Sequence, residues 1–409
     1  MDSGAPGERQ KPPYNITFGI LSALAILMIV AGHSGYDIFT VGGLFPYYSF
    51  HVPLFMFISG YFYKDAEEEH PLAYVKKKCA RLLVPYLVWN LFYGLIALFL
   101  RNCGFSMGEG IGFRTLFLMP FLHGYQFIYN YAAWFVPVLF VIEMMNLLMR
   151  LIAKRLFTKP LKKLAESRSD QPDPDKAAET GTADTDRLLE WLYLTASLLV
   201  GMAVVHLAIG GHVWGNYKAP GRILFLYPCF QMGQFYRKNL EKHDTLGNLP
   251  YFAILIGIQT LLHLCCNGLA FSSVWCTGFA NGPVIPYVTI VSVIAFWLRV
   301  ARLLTPIAGN NRAVRYLGRN TFTVMMHNVM MFMLIKMILA GIAAHTGFCA
   351  DFDLEQYRTN IDYIYLVRGV EHFKMVYLAA GIAIPLLLRY ALEQWMPAKA
   401  DREDLRRPI

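Results

Sequence analysis

The chain alternates long apolar runs with short polar loops. Ten runs approach the roughly 20 residues that a helix needs to cross a bilayer. They cover residues 17–36, 48–63, 82–100, 133–151, 188–209, 223–236, 249–266, 284–304, 322–344 and 365–392. The pattern predicts an all-α membrane protein, a bundle of about ten transmembrane helices.

Two segments interrupt this pattern. Residues 113–129 are apolar but broken by Pro120, His123 and Gly124, which favours a re-entrant or interfacial segment. Residues 165–187 contain no large apolar side chain, which indicates a disordered cytoplasmic linker. We therefore divide the chain into an N-terminal tail (1–16), a membrane domain (17–396) that contains the linker, and a C-terminal tail (397–409).

Composition and charge support one polytopic domain. Apolar residues make up 56% of the chain and charged residues only 16%, whereas a soluble domain carries about 25% charged residues. Most of the 37 lysines and arginines fall in the two tails and the even-numbered loops. This positive-inside distribution predicts a multi-pass protein of the cell membrane with both termini in the cytoplasm. It explains the net charge of +9 without nucleic acid as a partner.

Histidines mark the ends of the first two apolar runs. His33 lies about 16 residues, or about 24 Å of helical rise, from the cytoplasmic start of its run. His51 opens the next run, which enters from outside, so both lie at a similar depth. Ionisable groups in membrane spans are costly, and imidazole is suited to moving protons near neutral pH. The pair predicts a catalytic cavity in the outer half of the membrane.

Asp37 follows His33 by one helical turn and would share its face if the helix continued. A carboxylate at that place can orient an imidazole, as in a catalytic dyad. The alternative is that both histidines are interfacial and bond to backbone carbonyls or water. Spacing alone supports the two interpretations equally.

A basic cluster precedes the third run on the cytoplasmic side. It comprises Lys76, Lys77, Lys78 and Arg81. Such a cluster can bind phosphates through charge-assisted hydrogen bonds. The ordinary alternative is a positive-inside anchor that touches lipid headgroups. The seven cysteines show no metal-ligand spacing, and we predict no metal site.

Four segments together resemble the acyltransferase 3 family of integral membrane O-acyltransferases. They are the run that ends at His33, residues 50–61, residues 78–85, and residues 317–327, which end at His327. Their order and spacing agree over residues 17–392, and the fucose 4-O-acetylase-like branch is the most similar. The resemblance implies a ten-helix membrane bundle that moves an acyl group, usually acetyl, from cytoplasmic acetyl-CoA to a sugar or other acceptor outside. It implies no tightly bound cofactor.

The resemblance assigns roles residue by residue. His33 matches the family's essential histidine, and Ser59, Gly60 and Tyr61 match its Ser-Gly motif. Lys78 and Arg81 match a basic pair, so we assign them, with Lys76, Lys77 and His327, to the acyl-CoA site. We assign Asp37 and His51 to catalysis beside His33. One position departs: Ser22 stands where the family often has an arginine.

These observations favour an O-acyltransferase that acts on a hydroxyl of a cell-surface or exported carbohydrate. His33 would act as general base or accept the acyl group itself, and the residues do not separate the two routes. A transporter or flippase for a polysaccharide or lipid-linked sugar is the alternative, although no internal repeat supports it. A structural partner of an envelope-synthesis complex is a third. The acceptor, the acyl group and the oligomeric state are open.

Overall fold

The computed structural model describes residues 14–35, 39–106, 110–124, 128–166, 174–348 and 351–395. These residues are mainly helical, and their only β-structure is two isolated bridges. The α-helices are α1 (Ile16–His33), α2 (Tyr47–Phe62), α3 (Pro71–Lys78), α4 (Val84–Asn102), α5 (Met119–Leu122), α6 (Phe135–Glu166), α7 (Pro174–Ile209), α8 (Lys218–Phe235), α9 (Asn248–Cys265), α10 (Ile285–Ala308), α11 (Arg312–Arg319), α12 (Thr321–His345), α13 (Leu354–Thr359) and α14 (Lys374–Trp395). The predicted all-α class is confirmed.

Eight helical segments of the described residues are long and apolar enough to cross a membrane. They correspond to all or part of α1, α4, α6, α7, α9, α10, α12 and α14. Each of the ten predicted runs overlaps one helix, and the two runs without a qualifying segment correspond to α2 and α8. The protein is thus a multi-pass membrane protein, and the count of ten crossings stays a prediction.

Helices α2 and α8 form the interior of the bundle rather than its lipid face. Most of the residues of both helices are buried. A Cβ on Gly60 would overlap the carbonyl oxygen of Phe230, and a Cβ on Gly233 would overlap that of Phe57. Glycine at both positions lets the two backbones touch, the usual way in which membrane helices pack closely.

Helix α1 is also central. Of the residues in the apolar stretch of α1 that is long enough to span a membrane, 67% are buried. The corresponding value for α9, which lies at the periphery, is 11%. The Asn15 side chain caps its start by accepting a hydrogen bond from the Phe18 amide. The helix ends at His33, and Gly35 then adopts a φ of +68°, a left-handed conformation that suits glycine at a helix end.

Helices α1 and α2 run antiparallel and define two ends of the bundle. The first end carries the start of α1 and the end of α2, where Phe18 stacks on Tyr61 with 3.6 Å between ring centroids. The second end carries the end of α1 and the start of α2, where the Tyr47 ring packs against Gly32. The ends of α8, α10 and α14 also lie at the first end.

The structure describes most of the two segments that interrupt the apolar pattern. Within 113–129, α5 and a π-helical turn at Arg114–Leu118 are too short to cross a bilayer, and a 3₁₀ segment at Ile128–Trp134 follows. Of the linker at 165–187, residues 167–173 lie outside the described residues, and the rest belongs to α6 and α7. Its disorder therefore stays a prediction.

Candidate active site

His33 is the last residue of the most buried of the qualifying spans. Helical spacing places Ser22, Ile26, Ile29 and His33 along one face of α1. Side chains of a helix lean toward its N-terminus. The His33 imidazole, which is half-buried, therefore hangs back into the bundle rather than out toward the second end.

The orientation of His33 is set by Asn328 on α12. The Nδ1 atom of His33 lies 2.9 Å from the Oδ1 atom of Asn328. The Asn328 amide is itself oriented, because its Nδ2 donates to the carbonyls of Val324 and Met325, each at 2.9 Å. Since the amide oxygen only accepts, His33 Nδ1 carries the proton and donates. The Nε2 atom of the neutral ring is then an acceptor, which a general base requires.

His51 repeats this arrangement from α2. It is buried, and its Nδ1 donates to the Tyr47 carbonyl at 2.9 Å. Its ring packs beside that of Tyr48, with 5.2 Å between centroids. Tyr47 links the two histidines, because its ring packs against Gly32, the neighbour of His33, and lies 6.0 Å from the His51 ring between centroids. The structure therefore brings the two predicted histidines together, each with Nε2 as acceptor.

A narrow crevice of about 30 Å³ lies between α1, α2, α6 and α12, on the first-end side of His33. Four helices and the turn before α4 form its walls. The lining residues are Ser22, Ile26 and Ile29 of α1; Phe55, Ile58 and Ser59 of α2; Leu82 of the turn; Phe135, Val136 and Leu139 of α6; and Thr321, Phe322 and Met325 of α12. Ile29 and Met325 lie one helical turn before His33 and Asn328. The crevice is thus almost wholly apolar, and its lining on α1 and α12 stops one helical turn short of His33 and Asn328.

Ser22 helps to form this space. Its hydroxyl donates to the Phe18 carbonyl at 2.8 Å and so stays close to its own helix. An arginine at this position, as the resembled family often has, would project into the crevice. The departure at position 22 is therefore a local change in the lining.

The predicted basic cluster divides into separate environments. Lys78 forms a largely buried ion pair with Glu143 of α6, at 2.6 Å. Lys77 pairs with Glu67 at the surface, at 2.7 Å. Lys76 is exposed, and Arg81 lies in the π-helical turn at Cys79–Leu83, next to Leu82 of the crevice. The four cations do not form one pocket, and only Arg81 is adjacent to a residue of the crevice wall.

The Ser-Gly motif has mainly structural contacts. The Ser59 hydroxyl donates to the Phe55 carbonyl at 2.9 Å, and Gly60 packs against α8. The Tyr61 hydroxyl donates to Glu241 at 2.8 Å. The motif thus lies in the last turn of α2, at the first end of the bundle, and Ser59 forms part of the crevice wall.

His327 faces a different neighbour from Asn328. Its ring packs against Trp89 of α4 at 4.3 Å between centroids, and its Nδ1 lies 2.5 Å from the Tyr93 hydroxyl. Adjacent residues on a helix point about 100° apart, so α12 presents Asn328 to His33 and His327 to α4. The structure does not bring His327 to the histidine pair.

Asp37 lies outside the described residues, so its predicted role is untested. That prediction depended on a helix that continues past His33, whereas α1 ends at His33. Asn328 is the residue that the sequence interpretation missed. Its position immediately after His327, inside a segment already noted for its resemblance, was the available signal.

At the second end, the segment 271–275 packs near His51. The Ser273 hydroxyl donates to the Tyr48 carbonyl, and Ser49 exchanges hydrogen bonds with the backbone of Phe271. Arg222 donates to the Val274 carbonyl at 2.7 Å. The segment 271–275 therefore covers the start of α2, where His51 lies.

Comparison with known families now bears on this geometry. Residues 19–164 match the family model described as an acyltransferase domain, acyltransferase 3. The match supports a membrane acyltransferase. No curated protein and no solved structure matches the chain.

The acyltransferase match covers α1 through most of α6, and so contains both histidines, the Ser-Gly motif and the basic cluster. Asn328, His327 and Arg222 lie beyond it. Part of the surroundings of His33 therefore lies outside the matched segment.

Proposed function

We propose that the protein is an acetyl-CoA-dependent O-acyltransferase that modifies a hydroxyl of a cell-surface or exported carbohydrate. One observation carries the proposal: the Asn328-oriented imidazole of His33 lies one helical turn beyond Ile29, which lines an apolar crevice among α1, α2, α6 and α12. The acyltransferase match over residues 19–164 supports the reaction class. The donor, the acyl group and the acceptor belong to the proposal.

The donor would enter from the first end, which we infer to be cytoplasmic because most lysines and arginines fall on that side. Arg81, next to Leu82 of the crevice wall, and the exposed Lys76 are suited to its phosphates. Its flexible pantetheine arm would have to part the apolar walls of the crevice as it enters. Ser22 and His33 are eleven residues apart on α1, which corresponds to about 16 Å of rise. The thioester would therefore reach the imidazole from the side of the first end.

The chemistry needs one proton acceptor at the acceptor hydroxyl. Nε2 of His33 takes the hydroxyl proton as the oxygen attacks the thioester carbon. The C–O bond forms, the C–S bond breaks, and the CoA thiolate leaves and receives the proton from the imidazolium. Asn328 keeps Nδ1 as the donor throughout. The products are an O-acyl sugar and CoA thiol.

His51 would serve the acceptor side. Its Nε2 is an acceptor too, because Nδ1 donates to the Tyr47 carbonyl. It can therefore receive a hydrogen bond from a second sugar hydroxyl and hold the reacting one toward His33. A sugar would approach from the second end, which we infer to be the outer side.

The test is acyl transfer by the purified full-length protein in lipid nanodiscs, with radiolabelled acetyl-CoA and a panel of methyl glycosides. We expect transfer by the wild type and none by His33→Ala. His263→Ala is the matched control, because His263 is an exposed histidine near the C-terminal end of α9. Full transfer by His33→Ala would remove the assigned role. Sugar transport in proteoliposomes without any acyl transfer would favour the transporter alternative.

The acceptor can be identified by mass spectrometry of surface glycans from cells with and without the protein. The mass difference names the acyl group, and the fragment names the sugar. Identical glycans in the two strains would contradict the proposed acceptor class.

A further inference from the structure

Two cations, Lys218 and Arg222, lie one helical turn apart at the start of α8, at the second end of the bundle. Arg222 is only 1% exposed, and Lys218 is half-buried one turn before it. Arg222 donates to two backbone carbonyls, those of Val274 at 2.7 Å and Gly124 at 3.4 Å. Within the described part of the chain, neither cation has a carboxylate in ion-pair distance.

Among the described residues, the groups that interact with Arg222 carry no compensating negative charge. Arg222 interacts electrostatically with Tyr48, Tyr131 and Cys276, which are neutral at pH 7, and with Lys218, which repels it. Asp362 acts instead on Tyr131 and Tyr365. A buried guanidinium without an anion, next to a second cation, is unfavourable, and an anionic ligand would relieve this.

Indole rings frame the two cations. The Lys218 ammonium lies 4.7 Å from the Trp275 ring and 5.9 Å from the Trp214 ring. The Arg222 guanidinium lies 4.1 Å from the Trp134 ring. Trp214 is 58% exposed, so one face of this aromatic wall is open at the second end. Aromatic faces of this kind stack on the apolar faces of sugar rings.

The cation pair adjoins the histidines. Tyr48, whose ring packs on His51, also interacts with Arg222 and Trp275. A ligand on the Trp275 and Lys218 surface would therefore lie beside His51. Interfacial anchoring explains exposed tryptophans, and the two carbonyls explain part of the Arg222 contacts, but neither explains a second uncompensated cation one turn away.

We propose that Lys218, with Arg222 behind it, binds an anionic group on a sugar ring that stacks against Trp214 and Trp275. The acceptor class is then an acidic carbohydrate, one that carries a carboxylate or a comparable anion. This inference rests on the proposed function and adds the charge of its acceptor. Lys218 makes the direct contact because it is the more accessible cation.

The experiment compares two glycosides that differ only in charge. Dissociation constants for methyl glucuronide and methyl glucoside are measured by saturation-transfer NMR on the full-length protein in zwitterionic nanodiscs. A hydrogen bond between charged groups is stronger than one between neutral groups, so we expect the glucuronide to bind at least about tenfold more tightly. Lys218→Gln should abolish that preference and leave glucoside binding unchanged, which also shows that the variant is folded.

Two further variants complete the design. Lys218→Arg should keep the preference because it keeps the charge. Arg358→Gln, which removes an exposed cation at the same end, should also keep it. Equal binding of the glycosides, no binding of either, or a preference that survives Lys218→Gln would overturn the inference. So would Lys218-dependent binding of phosphatidylglycerol without binding of the glucuronide, because the site would then serve a lipid headgroup.

Binding and transfer are separate readouts. A protein that prefers the glucuronide but transfers no acyl group keeps this inference and loses the proposed function. A protein that acetylates neutral glycosides without any charge preference does the reverse.

Discussion

His33 and Asn328 are separated by 295 positions in the chain, yet their side chains meet at 2.9 Å between Nδ1 and Oδ1. The Asn328 amide is held by two carbonyls of its own helix, so its oxygen can face only one way. This relationship gives His33 one defined tautomer. It assigns to an amide on α12 the orienting role that the sequence suggested for Asp37.

Replacing Asn328 tests this positioning role. We expect Asn328→Ala to lower kcat about 100-fold, because a misoriented catalytic group loses a factor of that order, while the KM for acetyl-CoA stays unchanged. Asn328→Asp should recover much of the rate, because a carboxylate accepts the same hydrogen bond. Met337→Ala is the control, an exposed residue of the same helix. An unchanged kcat in Asn328→Ala would contradict the role.

Arg81 and the donor phosphates form the second prediction. Arg81→Gln should raise the KM for acetyl-CoA about tenfold, because one charge-assisted hydrogen bond is lost, with little change in kcat. Acetyl-pantetheine, which lacks the nucleotide phosphates, should show the same KM with both proteins. Lys64→Gln, an exposed cation at the same end, is the control. A raised KM for both donors would mean that Arg81 acts on the fold instead.

The Lys78–Glu143 pair is expected to stabilise the bundle. Glu143→Gln leaves the Lys78 ammonium largely buried and unpaired, so the free energy of unfolding should fall by about 3–5 kcal/mol. Glu67→Gln breaks the more exposed pair with Lys77 and should change it by less than about 1 kcal/mol. Both values can be measured by unfolding in mixed micelles. Equal losses would show that burial does not separate the pairs.

The glycine contacts between α2 and α8 predict a large effect of a single methyl group. Gly60→Ala and Gly233→Ala each force a Cβ into the partner backbone, and the free energy of unfolding should fall by about 1–3 kcal/mol or more. Gly257→Ala on α9 meets nothing and should stabilise the helix by about 0.5–1 kcal/mol. Thermal unfolding in detergent distinguishes the signs. A harmless Gly60→Ala would refute the close backbone contact.

Acid sensitivity should involve Asp65, in the loop after α2. Partial burial opposes its ionisation, but Lys238, at 2.6 Å, and Arg150 outweigh this and hold the pKa of Asp65 below its ordinary value. The depressed pKa adds stability above the unfolded-state pKa, and this stability is lost as pH falls through the folded-state pKa. The stability difference between wild type and Asp65→Asn should therefore shrink as pH drops from 6 to 3.

Unfolding in mixed micelles across this pH range measures the effect. Asp351→Asn removes an exposed acid at the other end and provides the control. A wild-type advantage over Asp65→Asn that stays constant down to pH 3 would contradict the proposed ion pair.

The sequence alone determined the helices and the reaction class. Hydropathy located every run that became a helix of the bundle, because the cost of inserting polar groups into lipid is paid residue by residue and is visible locally. Motif order pointed to an acyltransferase and to His33. Lateral contacts are different, since they depend on how helices pack. Tertiary structure alone paired His33 with Asn328, turned His327 toward α4, matched Lys78 with Glu143, and brought Trp275 beside Lys218, because each of these contacts joins side chains from distant parts of the chain.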